Sequence, residues 1–146
     1  MVHALEEAHR LLTPDGLLVD IHPLPEAPTI EVRQGGKLLL SETYPSQSVE
    51  DYRQADRAIE SAIERRLFAA PHRDLFEFLT YASSASDLND FFKKTGAYDH
   101  SPKDQAVEAR KAELFTRVDQ LIKSTGAAAD VIFVERAQVA VLRPIA

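Results

Sequence analysis

Asp20 and His22 are the residues whose types and spacing come nearest to chemistry. They stand two apart in Leu17-Leu-Val-Asp-Ile-His22, so in an extended chain both side chains project to one side, where a carboxylate and an imidazole can share a proton as an acid and base pair. They are the catalytic candidates, set against a plainer reading as a polar strand end satisfied by water or backbone. Tyr44 and Tyr52 are the substrate-binding candidates; rings of this kind can line a pocket, and they also pack simply with the hydroxyl left wet. The five histidines, at 3, 9, 22, 72 and 100, form no H-x-H, HExxH or i,i+4 pair, so no metal site is expected. The chain has no cysteine, which removes disulfides, thiolate ligands and a thiol nucleophile, and no serine sits in a G-x-S-x-G elbow. Gly35-Gly36 lies between two strand-like runs and not between a strand and a helix, so it reads as a hairpin turn and not as a phosphate cradle.

Composition narrows the class further. A chain of 146 residues is expected to form a single domain over 1–146 with one core. Its formal charge of -6, with basic residues interspersed among acids, argues against nucleic acid as a partner. No apolar run approaches the ~20 residues of a membrane span, so no membrane partner is expected. Met1 leads straight into an amphipathic segment with Glu6 and Glu7, which makes a cytoplasmic location the expectation.

Several elements must position these residues. Ala4, Leu5, Ala8, Leu11 and Leu12 give residues 2–12 one apolar helical face, with Glu6, Glu7 and Arg10 turned to water. Thr13-Pro-Asp-Gly16 ends that helix in a turn. The nearly continuous apolar run from Leu17 to Ile21 predicts a central strand covered on both faces, ended by His22-Pro23. Pro23, Pro25 and Pro28 make an extended link, and residues 29–43 predict a hairpin. A two-residue Gly-Gly turn would oppose Val32 to Leu39. The preferred three-residue loop Gln34-Gly35-Gly36 opposes Val32 to Leu38 and Ile30 to Leu40, gathering four apolar side chains on one face.

Ser48-Val-Glu-Asp51 predicts a capping box for a helix running to about Phe68, interrupted by Pro71. Leu75, Phe76, Phe78 and Leu79 then suggest a second, aromatic helix, and Leu88, Phe91 and Phe92 a third that stops at Gly96. Ser101 as N-cap, Pro102 and Asp104 open a fourth, with Val107, Leu114, Val118, Leu121 and Ile122 buried until Gly126. Residues 130–143 hold two apolar runs around Glu135-Arg-Ala-Gln138. Either two short strands with a weakly signalled turn or one long bulged strand fits.

The segment from Ala4 to Asp20, helix, "R-x-L-x-P-x-G" turn and strand, resembles the part of class I S-adenosylmethionine-dependent methyltransferases that leads into the fifth strand of their sheet. The order strand, helix, strand pair over residues 104–144 is similar to the end of that fold. The resemblance implies an α/β domain with a small mixed sheet and flanking helices, in which 2–28 and 101–146 form the methyltransferase-like part and 29–100 an inserted hairpin and helical region. It implies a substrate-side position for Asp20 and His22. The family's glycine-rich loop and ribose-binding acid have no counterpart in these residues, so no cofactor-binding residue carries over, and S-adenosylmethionine is expected only if another chain complements this one. An unpaired edge beside Leu17–Ile21 then implies a homodimer or a complementary cofactor-binding chain. The corresponding function is that of a methyltransferase-like chain inactive alone, or of a non-catalytic binding or dimerisation module derived from that fold.

Overall fold

A computed structural model describes residues 2–96, 102–126 and 128–145. The elements are α1 (Val2–Leu11), β1 (Leu18–Pro23), β2 (Thr29–Gln34), β3 (Lys37–Thr43), α2 (Val49–Glu64), β4 (Phe68–Ala82), α3 (Ala85–Thr95), α4 (Gln105–Thr125) and β5 (Asp130–Pro144). The five strands form an antiparallel sheet in which β5 pairs with β1, β2 and β4, and β3 pairs with β2. It is an α/β architecture with flanking helices, but the expected mixed sheet is antiparallel in its registered pairings.

The chain forms two compact units. The first takes in residues 1–26, 48–77 and 136–146, and its core sets Leu5 of α1 and Ala58, Ile59 and Ala62 of α2 against Phe68, Ala140 and Leu142. Small alanines at helical spacing let α2 lie close to the strands. The second unit takes in residues 27–47 and 78–135. Its core joins Ile30 and Val32 to Val131, Phe133, Leu88, Leu114 and Val118.

Several expectations are corrected, and one that stood open is decided. β1 is not central: its registered partner is β5 alone, Leu18 opposite Leu142 through Pro23 opposite Ala137. Its exposure alternates, leaving Val19 54% and Ile21 63% exposed. The aromatic helix over 75–79 is part of strand β4. The spacing of Leu75, Phe76, Phe78 and Leu79 suits either period, and pairing with β5 together with the β-preference of Phe, Thr and Tyr decides for the strand. Of the two alternatives for residues 130–143 the single long strand holds, because Glu135–Gln138 lacks a turn former and stays extended, with the Arg136 carbonyl accepting from the Leu24 amide and its side chain pairing with Glu26.

The hairpin has neither of the two expected registers. Gly35 and Gly36 form a two-residue turn with φ of 55° and 81°, so Gln34 opposes Lys37 and Arg33 opposes Leu38. A bulge at Leu39 then brings Val32 opposite Leu40, which keeps Val32 and Ile30 fully buried against β5. Asp104, rather than Ser101, caps α4, accepting from the amides of Ala106 and Val107; Ser101 lies outside the described residues. Gly126 ends α4 with φ of 65°, the left-handed exit a glycine supplies.

Finally, α2 stops at Glu64 rather than near Phe68, and Ser48 at its start makes no side-chain capping bond to the helix. The stop is a Schellman motif: the Leu67 amide donates to the Ala62 carbonyl and the Arg66 amide to that of Ile63. Arg66 holds φ of 58°, a conformation that disfavours a side chain with a Cβ. Arg66→Gly is therefore expected to stabilise the chain by about 1 kcal/mol, read as a higher urea midpoint. A midpoint unchanged or lowered would contradict this account of the helix end.

Candidate functional site

Alternation along β1 turns Leu18, Asp20 and His22 to one side and Val19 and Ile21 to the other. On the inner side the sequence-level pair is formed: His22 Nδ1 lies 2.5 Å from Asp20 Oδ2. A third member comes from α2, where Asp56 Oδ1 lies 2.8 Å from His22 Nε2. Asp56 was not legible from sequence, since it is thirty-four residues away. The only signal was a carboxylate on the helix face adjoining Ala55 and Ile59, where a polar group needs a partner.

Both imidazole nitrogens thus meet carboxylate oxygens, an arrangement satisfied in full only by the doubly protonated ring. His22 itself is buried, 8% exposed. Burial pushes its pKa down, but the bonds to Asp56 and Asp20, reinforced by their charges, outweigh this and leave it above its ordinary value. This is the chemistry of a closed ion cluster tying β1 to α2. A general base needs a nitrogen free to take a proton, and here neither nitrogen is free.

The tyrosines lie elsewhere and in different units. Tyr44, just after β3, packs its ring against Phe92, Phe115 and Phe133 at centroid distances of 5.5, 6.1 and 5.2 Å, with the Lys111 ammonium 5.4 Å from its own centroid. Burial, with the nearby Glu108 charge, pushes its hydroxyl up to about 12, so it stays neutral at any ordinary pH. Tyr44 is partly buried and packs against the core of the second unit. Tyr52 sits half-buried on α2 in the first unit.

A shallow cleft of about 360 Å³ in the second unit is lined by Thr43, Pro45, Arg110, Glu113, Leu114 and Arg117, and includes none of the sequence candidates. Arg117 there is held bidentate by Glu42, which neutralises it. Among the described residues no group of three or more histidine and acidic side chains is placed to hold a metal ion, and no helix is long and apolar enough to cross a membrane.

The ion cluster has a pH signature. Because the folded pKa of His22 is raised above the ordinary 6.5, the stability it contributes is fully present below pH 6.5 and is lost as pH rises through the folded value. His22→Gln should therefore narrow the stability gap to wild type between pH 5.5 and 8.5 as pH rises, and Asp56→Ala should cost about 2 kcal/mol at pH 6. Urea titrations giving a gap independent of pH would remove the cluster from the account.

The chain matches no protein-family model, no curated protein and no solved structure.

Proposed function

We propose that this chain is a non-catalytic association module, related in pattern to the substrate-side half of a methyltransferase. The observation that carries the reading is the inversion of β1: its polar pair is turned inward and closed by Asp56, while Val19 and Ile21 face outward. A site for chemistry would leave the polar groups open and bury the apolar ones. Exposed Leu75, Phe76, Phe78, Leu79 and Tyr81 on β4 add a second stretch of uncovered apolar surface, a feature that marks interaction sites.

A second reading has one observation in its favour. The strand that resembles the fifth strand of the methyltransferase sheet pairs antiparallel with the last strand of this chain, as the resemblance implies. On that reading the chain is completed by a cofactor-binding chain. Calorimetry with S-adenosylmethionine separates the two from an enzyme competent by itself. The purified chain is expected to give no binding heat, because no glycine loop or ribose-binding acid is present to contact the cofactor. A micromolar constant would overturn the module reading.

A further inference from the structure

Among the described residues the longest strand with a single partner strand is β4. Among the described residues it pairs with β5 alone, and every residue from Pro71 to Leu79 is exposed. Edges of this length are normally guarded by charged side chains, lysine above all, by proline or by a covering element, and the charges here, Arg73, Asp74 and Glu77, are of both signs. β4 contains no lysine, and its one proline, Pro71, guards only the beginning. Within the first unit the edge reads Pro71-His-Arg-Asp-Leu-Phe-Glu77, with Leu75 50% and Phe76 38% exposed.

This sequence is suited to meeting its own copy. A two-fold antiparallel pairing centred on Asp74 or on Glu77 would set like charges directly opposite each other, which is destabilising. Centred on Leu75, it sets Leu75 against its equivalent, Asp74 against Phe76, and Arg73 against Glu77. The charged pair then occurs twice with opposite signs. If Leu75 occupies a non-hydrogen-bonded position, so does Pro71 four residues away, and its missing N–H forfeits no bond. Arg73 already holds Glu60 of α2 at 2.5 Å through one terminal nitrogen, which fixes its guanidinium beside the strand.

We infer that β4 is a homodimerisation edge, two copies joining their sheets antiparallel about Leu75 with Arg73 of each opposite Glu77 of the other. The inference rests on the reading of the chain as an association module. Sedimentation equilibrium of the full chain tests it. Wild type should dimerise, Glu77→Arg should raise the dissociation constant about tenfold, and Arg73→Glu combined with Glu77→Arg should restore it to within about threefold of wild type, as expected for two exposed cross-strand pairs. Glu60→Ala, which removes only the intrachain partner of Arg73, should leave the dimer intact, and circular dichroism should show each variant folded. A monomeric wild type would overturn the inference. So would a dimer indifferent to the charge reversals, which would place the contact elsewhere, on the outward Val19 and Ile21 face. Neither result bears on the calorimetric test of the module reading, whose failure shows separately as cofactor binding.

Discussion

Strand β5 is the constraint on which the rest of the structure depends. Its fifteen residues supply hydrogen-bonding partners to β1 over Ala137–Leu142 and to β2 over Asp130–Val134, and it pairs with β4 as well. Each unit builds its own core on a different portion of this strand. Val131 and Phe133 anchor the second, Ala140 and Leu142 the first. Backbone donors and acceptors buried under such cores must be paired, so the extended conformation of Glu135–Gln138 follows from what lies on either side of it as much as from its own residues.

The same need for pairing explains the inversion of β1. Asp20 and His22 alternate onto the strand face that α2 covers, and a buried imidazole between two carboxylates is tolerable only because every polar atom has a partner. Among the described residues no buried side-chain nitrogen or oxygen lacks one. With the inner face so occupied, Val19 and Ile21 are left on the outer one. Surface that is apolar because its polar neighbours were drawn inward is suited to contact with another protein.

Much of this was legible in the sequence, and the failures share a cause. α1 with its Pro-Asp-Gly turn, the hairpin's existence, α3 ending at Gly96 and α4 ending at Gly126 are local features, written in periodicity and in residues that can stop a helix. The pairing of Asp20 with His22 was local too, since two residues in a strand alternate to one face. What was not legible depended on partners distant in the chain. The apolar cluster at 75–79 satisfies both periods, and only β5 selects the strand. The apolar run Leu17–Ile21 reads as doubly buried, whereas a polar trio completed by Asp56 from a distant helix takes the inner side of the strand. The bulge at Leu39 follows from packing Val32 and Ile30 against β5, which the hairpin's own turn residues do not encode.

Hydrogen exchange measured at several protein concentrations addresses the central claim directly, that β5 is a continuous spine and β4 an edge completed by association. The account predicts β5 amides protected at every concentration, those of Glu135 to Gln138 included, and β4 amides of Asp74 and Phe76, the donors across the proposed pairing, that gain protection as concentration rises. Fast exchange in the middle of β5, or β4 protection that does not respond to concentration, would contradict it.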